Sequence, residues 1–301
     1  MKGIKLNVGA SPIWQRAGWY TIDHKVREGS DSSFIGSATN IPLSEGSCST
    51  IFNSHMIEHI PHTDLESVFL EFNRVLEQDG LLRILSPDLS IIAKAYVNRD
   101  REFFNKALLE DENIRTDLGF GGMFLNFVVS PGQDTALFDR NLTKFIGGYA
   151  HLYLYDFEML NILLTQCGFY KVKQKAFCES DLADYRIPLH VEGLEPVWQD
   201  FNQEFYKKND LVHRYDPVIG GYNINFKVTG FDRDPLTSLI VEAKKERTLT
   251  PEEHALSYAG RKNYNRYGQS LMQSDRFKLK TEILRSASNV IDSSSVMKDR
   301  K

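Results

Sequence analysis

The clearest pattern of apolar and polar positions lies between Ile51 and Leu85. A short apolar run begins at Ile51, and the run Leu81–Leu85 closes the stretch, each with the length and composition of a buried strand. Between them, apolar residues recur every three or four positions, which places them on one face of a helix. These residues are Leu65, Val68, Phe69, Phe72, Val75 and Leu76. The stretch therefore predicts a strand, a helix and a second strand.

Local signals mark the ends of these elements. Thr63 and Glu66 have the spacing of a capping box at the start of the helix, and Asp79-Gly80 is a turn signal that stops it. Pro87-Asp88 ends the second strand and predicts a further helix over about Leu89–Val97.

The alternation of strands and helices extends to both sides of this unit. Strands are predicted at Ile4–Val8, Trp19–Ile22, Lys171–Phe177 and Thr237–Ala243. About ten residues separate the first two, so a connecting helix has at most one or two turns. Such alternation predicts a doubly wound α/β sheet.

The segment before Lys171 combines two patterns. Residues 149–155 alternate aromatic or polar side chains with apolar ones, which predicts extended backbone. Asp156 has the position of a cap for a helix that ends at Gly168. The apolar residues predicted to face inward on this helix are Phe157, Leu160, Leu163 and Leu164.

Two stretches, residues 99–148 and 180–235, interrupt this alternation. We predict that they are insertions in an α/β domain that covers residues 1–246. Residues 247–301 contain 11 Lys and Arg against 6 Asp and Glu, with few large aliphatic residues. This segment is predicted to be a polar, basic C-terminal extension.

Composition narrows the class of protein. The 301 residues are 42% hydrophobic and 25% charged, which is enough apolar material for a buried core. A net charge of -4 provides no general attraction to nucleic acid or anionic lipid. No apolar run has the length of a membrane span and no signal-peptide pattern is evident, so we expect a cytoplasmic location. The three cysteines include no C-x-x-C pair, which argues against a disulfide framework or a thiolate zinc site.

Candidate ligand-binding residues follow the first two predicted strands. In an open α/β sheet, ligands bind beyond the carboxyl ends of the strands, where the strand order reverses. Gly9 directly follows the first strand and lets backbone N–H groups approach a ligand. Asp23 ends the second strand and offers two acceptor oxygens to the vicinal hydroxyls of a ribose.

The sequence around these residues resembles the class I S-adenosylmethionine-dependent methyltransferases, in particular the small-substrate, type 11-like group. The resemblance is carried by LNVGASP at residues 6–12, GWYTID at 18–23, ATNIPL at 38–43, NSHMIEHIP at 53–61 and EFNRVL at 71–76. It is strongest over residues 4–90 and fainter beyond them. It implies a Rossmann-like, doubly wound, mostly parallel seven-stranded sheet and S-adenosylmethionine as the cofactor.

The resemblance also implies roles for individual residues. Gly9 would lie beneath the methionine part of the cofactor, Asp23 would hold the ribose, and Ala38 would sit beside the adenine. Ser54 and His55 would line the reaction cleft. The full cofactor set is Asn7, Gly9, Ala10, Asp23, Ala38, Ser54 and His55. Because Ala10 and Ser11 stand where the family usually has a second glycine, reduced cofactor affinity is expected.

Methyl transfer requires few specific side chains. Methyl transfer from a sulfonium is an in-line displacement, so the protein acts mainly by positioning the acceptor. A hydroxyl or amine acceptor also needs a base, and the candidates are His151, His55 and Glu58, of which His151 is preferred.

Aromatic side chains have two interpretations each. Tyr149, Tyr153 and Tyr155 either stack against a sugar or flat acceptor or pack in the ordinary way. Trp14 either covers the cationic end of the cofactor or anchors a loop.

The segment His55-Met56-Ile57-Glu58-His59 also matches H-x-x-E-H, a zinc-protease motif in which two histidines on one helical face bind the metal. Pro61 follows two residues after the motif and leaves room for a single helical turn. No third ligand is evident on a downstream helix, so no metal ligand is assigned. The alternative is that Glu58 and His59 tie the strand end to the next helix.

These observations predict an enzyme that transfers a methyl group from S-adenosylmethionine to a small-molecule or glycan-type acceptor. The insertions would form the acceptor pocket, and no basic stripe indicates a nucleic-acid partner. Two alternatives remain open. One is a non-catalytic methyltransferase-like protein that assembles with a protein partner or with itself through residues 247–301, and the other is a zinc hydrolase that uses the H-x-x-E-H stretch.

Overall fold

The computed structural model describes residues 3–10, 14–24, 29–107, 119–129, 151–186, 189, 212–216, 221–224, 237–249 and 253. The chain divides into two units, Met1–Thr248 and Leu249–Lys301, and the strands and helices of the described residues lie in the first. Most of the two predicted insertions and of the predicted C-terminal extension lies outside the described residues, as does Tyr149.

Nine strands are present among the described residues. They are β1 Ile4–Val8, β2 Trp19–Asp23, β3 Ser33–Ile35, β4 Cys48–Ser54, β5 Leu76–Pro87, β6 Phe169–Gln174, β7 Val212–Asp216, β8 Gly221–Ile224 and β9 Ser238–Lys245. Seven of them form one sheet in the order β3-β2-β1-β4-β5-β9-β6, and β7 and β8 pair separately. Strands β1 to β5 are parallel, whereas β9 runs antiparallel to both of its neighbours. This order confirms the predicted doubly wound, mostly parallel seven-stranded sheet.

The described helices flank this sheet or follow its strands. They are α1 His62–Val75, α2 Leu89–Val97, α3 Arg101–Ala107, α4 Gly119–Val129 and α5 Phe157–Gln166, with 3₁₀ turns at Ile57–His59 and Ala183–Tyr185. None of the described helices is both long and apolar enough to cross a membrane.

Helix α1 confirms the predicted apolar face but not the predicted ends. All six predicted residues are fully buried, although Leu76 is the first residue of β5 rather than part of the helix; burial of each stabilises the fold by roughly 1.5–3 kcal/mol. The capping-box prediction for Thr63 and Glu66 is wrong, because the helix begins after Pro61 and no side chain caps it. The helix ends at Val75, before the predicted stop at Asp79-Gly80.

The Asp79-Gly80 turn signal instead produces an irregularity inside β5. Cys48 pairs with Leu76, whereas Thr50, two residues later, pairs with Leu81. The extra residues of β5 are accommodated because Asp79 adopts a left-handed conformation with φ +60°.

Two other helix predictions are confirmed. Helix α2 has the predicted bounds, and the Asp88 carboxylate accepts hydrogen bonds from the backbone N–H groups of Ser90 and Ile91. Asp156 caps α5 in the same way through the N–H of Met159. Residues 151–154, predicted to be extended, are irregular, and only Tyr155 forms a bridge, with Asp88.

The two faces of the sheet bury different sets of side chains. Alternate strand residues point to opposite faces, so Ile51 packs in the core formed with α1 and α5, while Phe52 packs in a second core. Trp14 belongs to this second core, is 2% exposed and packs edge-to-face on Trp19. This burial favours the interpretation in which Trp14 anchors a loop.

Candidate functional site

The carboxyl ends of β1, β2 and β4 meet at one edge of the sheet. Val8 pairs with Ile22 of β2 and with Asn53 of β4. Because β1 has β2 on one side and β4 on the other, the strand order reverses here, which is where ligands of such sheets bind. Gly9, Asp23 and Ser54 lie at this edge.

Gly9 makes the turn that follows β1. Its φ is +78°, a conformation that favours glycine, and its N–H donates to the carbonyl of Ile22. Met56 lies against it, because a Cβ atom at Gly9 would be 2.8 Å from both Cγ and Sδ of Met56. The amide of Asn53 donates to the Val8 carbonyl and to the Met56 sulfur. One face of Gly9 is thus covered by the chain itself, a feature that the sequence analysis missed.

The other residues of the predicted cofactor set differ in how deeply their side chains are buried. Asn7 and Ala10 are buried, and Ala10 packs in the core that contains Trp14. Ala38 is half-buried against the opposite core. Ala10 can therefore contribute only its backbone to a ligand at this edge.

The polar members of that set are better placed for a ligand. Asp23 is half-buried at the end of β2, where it pairs with Ile35 of β3. The Ser54 hydroxyl is buried and has no hydrogen-bond partner among the described residues. A hydroxyl in that condition is suited to bind a ligand, since an unsatisfied buried polar group costs free energy.

His55 is held in place by both of its ring nitrogens. Nδ1 lies 3.1 Å from Oε1 of Glu58, and Nε2 lies 3.1 Å from the hydroxyl of Ser238 at the start of β9. The carboxylate only accepts, so Nδ1 carries the proton in the neutral ring and Nε2 accepts from Ser238. The backbone of His55 is left-handed, with φ +50°, and its N–H donates to the Leu85 carbonyl. Such backbone strain is concentrated at functional sites.

Glu58 lies fully buried at the centre of the 3₁₀ turn Ile57–His59. Burial on its own would raise the pKa of the carboxyl group. The hydrogen bond from His55 and the attraction of His55, His59 and His151 outweigh burial and lower the pKa of Glu58 below its ordinary value. The site therefore contains a buried carboxylate that is ionised at neutral pH.

His151 is brought to Glu58 by the backbone. The carbonyl of Glu58 accepts hydrogen bonds from the N–H groups of Leu152 and Tyr153, at 2.7 and 3.3 Å. Nδ1 of His151 donates to the Phe127 carbonyl at 2.8 Å, which leaves the lone pair of the neutral ring on Nε2. Burial lowers the pKa of His151, although the Glu58 charge opposes the change. This imidazole is therefore neutral near pH 7 and able to accept a proton.

The H-x-x-E-H stretch does not form the helical face that a zinc hydrolase would need. His55 precedes the 3₁₀ turn and faces Ser238, whereas His59 lies beside His151, with ring centroids 5.2 Å apart. The ligand atoms of Glu58, His59 and His151 lie within 4.8 Å of one another. The pair of His55 and His59 that the motif would require does not form, whereas Glu58, His59 and His151 converge.

Aromatic side chains border this cluster. Tyr153 is 40% exposed and stacks on His62 with ring centroids 4.4 Å apart. Tyr155 is fully buried in the core, so its role is ordinary packing. Of the three predicted stacking tyrosines, Tyr153 has the exposure that a stacking surface requires.

One protein-family model matches part of the sequence, and several solved structures are similar to the fold. Residues 21–84 match the model of a family described as a methyltransferase domain. The sequence has no significant match among curated proteins.

Similar solved structures include a SAM-dependent methyltransferase from Archaeoglobus fulgidus, with 14% identity, a TM-score of 0.36 and coverage of 81% of this chain and 86% of that one. A possible histamine N-methyltransferase from Thermotoga maritima has 12% identity and a TM-score of 0.37, with 81% and 83% covered. Phosphoethanolamine N-methyltransferase 2 from Haemonchus contortus, in complex with S-adenosyl-L-methionine, has 10% identity and a TM-score of 0.35, with 82% and 50% covered. These likenesses are distant and carry no further argument.

Proposed function

We propose that this chain is a class I S-adenosylmethionine-dependent methyltransferase, as its matched segment and its strand order support, and that it methylates a hydroxyl or amine of a small-molecule or glycan-type acceptor. One observation carries the proposal. The edge that holds Gly9 and Asp23 also carries, beyond β4, the buried Glu58 carboxylate, one oxygen of which lies within 4.8 Å of a ring nitrogen of His151. The residues proposed to bind the cofactor and to accept a proton thus lie at one end of the sheet.

The cofactor-binding part of the site would use backbone and short side chains. Asp23 would accept hydrogen bonds from the ribose hydroxyls, and the turn at Gly9 would support the methionine part of S-adenosylmethionine. Ala38 would lie beside the adenine, Asn7 and Ala10 would shape the turn, and Ser54 would offer its buried hydroxyl. Because Met56 covers one face of Gly9, the cofactor would approach from the other face.

The acceptor-binding part of the site would use the cluster around Glu58. S-adenosylmethionine supplies the methyl group as a sulfonium, and its transfer requires mainly that the acceptor atom be aligned. Nε2 of His151 would take the proton of the acceptor, and the Glu58 carboxylate would stabilise the resulting imidazolium. His55 acts as a positioning residue, since both of its ring nitrogens are engaged. The exposed Tyr153 ring, stacked on His62, suits a sugar or flat acceptor.

Two measurements test this proposal. Calorimetric titration with S-adenosylhomocysteine should give one binding site per chain. Incubation with S-adenosylmethionine and a panel of hexoses, uronic acids and primary amines should then release S-adenosylhomocysteine and yield a product heavier by one methylene group, detected by mass spectrometry. Absence of binding would instead support the non-catalytic alternative, and binding without turnover on any acceptor of the panel would refute the acceptor class.

A further inference from the structure

Three side chains that could bind a metal converge beside the proposed cofactor site. The ligand atoms of Glu58, His59 and His151 lie within 4.8 Å of one another. Nε2 of His59 is 3.9 Å from Oε1 of Glu58. Ligand atoms around a tetrahedral zinc ion are about 3.4 Å apart, a spacing that small side-chain rotations can reach from these positions.

The Glu58 carboxylate is unusual in its surroundings. It is fully buried, and its Oε2 atom has no hydrogen-bond partner among the described residues, while His55 faces Oε1. An ionised carboxylate taken from water into a protein interior costs several kcal/mol unless its charge is compensated. His55 compensates the charge at Oε1, and a cation bound at Oε2 would satisfy the oxygen that has no partner among the described residues.

The tautomer of His151 also favours metal binding at its Nε2 atom. Nδ1 donates to the Phe127 carbonyl at 2.8 Å, so the Nε2 lone pair is available. Histidines that bind metals usually donate their other ring N–H to a carbonyl or carboxylate, which fixes the ring and raises its basicity. His151 already has this outer partner.

We propose that Glu58, His59 and His151 bind a divalent transition-metal ion of the zinc class. One carboxylate oxygen and two imidazole nitrogens form a donor set that zinc accepts, and three protein ligands leave a fourth position for water or for an acceptor hydroxyl. His55 does not belong to the set, because its ring nitrogens face Glu58 and Ser238. The arrangement differs from that of the H-x-x-E-H hydrolases, in which the glutamate is the base rather than a ligand.

The metal site does not depend on methyl transfer, but it affects the same atom. Nε2 of His151 can hold either an ion or a proton. Without an ion, His151 would offer its Nε2 lone pair to the proton of an acceptor, whereas a bound ion would act as a Lewis acid and lower the pKa of a bound hydroxyl.

The test is metal binding by the full chain without a histidine tag, after chelator treatment and desalting. Titration with zinc chloride should give one site per chain. His59→Ala and His151→Ala should each weaken binding by more than about 100-fold, because loss of an outer partner alone costs about 10–100-fold. His24→Ala, which removes an exposed imidazole at the end of β2, is the matched control and should leave the affinity unchanged.

Folding of each variant is checked by thermal melting, and Glu58→Gln, which keeps the size of the side chain, serves as the third ligand variant. Binding of S-adenosylhomocysteine is measured separately, so failure of the cofactor site and failure of the metal site give different results. Absence of a stoichiometric zinc site, or an affinity that His59→Ala and His151→Ala leave unchanged, would overturn the proposal.

Discussion

The side chain of Met56 packs directly on the backbone of Gly9, close enough that a methyl group on Gly9 would overlap both Cγ and Sδ. Asn53 fixes this contact, because its amide nitrogen reaches the Met56 sulfur. The turn after β1 and the loop after β4 are therefore interlocked at the edge where the cofactor would bind.

We expect Gly9→Ala to destabilise the protein more than Gly18→Ala does. Both glycines have φ +78°, so both variants incur the left-handed strain of an L residue, of order 1–3 kcal/mol. Only Gly9 also has a neighbour in the way, since nothing lies within 4 Å of a Cβ at Gly18. Overpacking should add about 1–3 kcal/mol, measured by urea denaturation.

The contact with Met56 can be isolated by a double-mutant cycle. In a Met56→Ala background, the cost of Gly9→Ala should fall towards that of Gly18→Ala, because the Cγ and Sδ atoms are removed and only the Cβ of residue 56, 3.0 Å away, remains. An unchanged cost in that background would mean that Met56 is not the obstacle.

Asp23→Ala should weaken binding of S-adenosylhomocysteine by about 10- to 100-fold, since hydrogen bonds to a charged group contribute about 1.5–3 kcal/mol. Titration calorimetry measures the affinity, and a thermal melt verifies the fold. Asp181→Ala removes an exposed carboxylate outside the site and is the control. Equal affinities for the two variants would exclude Asp23 from the cofactor site.

His151→Gln should lower kcat/KM for methyl transfer by about 10²- to 10⁴-fold, the usual contribution of a general base, with little change in S-adenosylhomocysteine affinity. The assay follows S-adenosylhomocysteine release on the best acceptor of the panel, in the presence of a chelator so that no ion replaces the base. His24→Gln provides the comparison. If both variants retain full activity, the acceptor is not deprotonated by His151.

The three thiols should be unreactive in the native protein. Cys48, Cys167 and Cys178 are all buried, and burial raises the pKa of Cys48 to about 11. A raised pKa favours the protonated thiol, so at pH 8 only about a thousandth of Cys48 is the nucleophilic thiolate. A chromogenic disulfide reagent should therefore label no thiol at pH 8 before unfolding and three after it. Rapid native labelling of Cys48 would contradict this burial.

The sequence predicted those parts of the fold that local patterns determine. The buried face of α1, the bounds of α2 and the cap at Asp156 all follow from residues a few positions apart, and the structure contains each of them. The prediction was wrong at Asp79-Gly80. This turn signal predicts the end of a helix, whereas in the structure it lies inside β5 and produces an irregularity in the pairing with β4.

Most of the site could not be predicted in this way. The partners of His55 and Glu58 are distant in the chain: Ser238 is 183 positions from His55, and His151 reaches Glu58 only through backbone hydrogen bonds of Leu152 and Tyr153. Contacts between residues so far apart in the chain leave no periodic pattern of apolar and polar positions in the sequence. Met56 lies inside the H-x-x-E-H stretch, so the sequence marked its segment as a candidate site. Its contact with Gly9 could not be predicted, because that contact depends on how β1 and β4 pair.

The attachment of residues 152 and 153 to the Glu58 carbonyl has a consequence for how this protein can change over evolution. Main-chain N–H groups make that attachment, and every amino acid except proline supplies one. Side chains at these two positions are thus free to vary while the neighbouring imidazole keeps its place. If the proposed function holds, new acceptors would be accommodated by exchanging the exposed side chains at these positions while His151 stays in place.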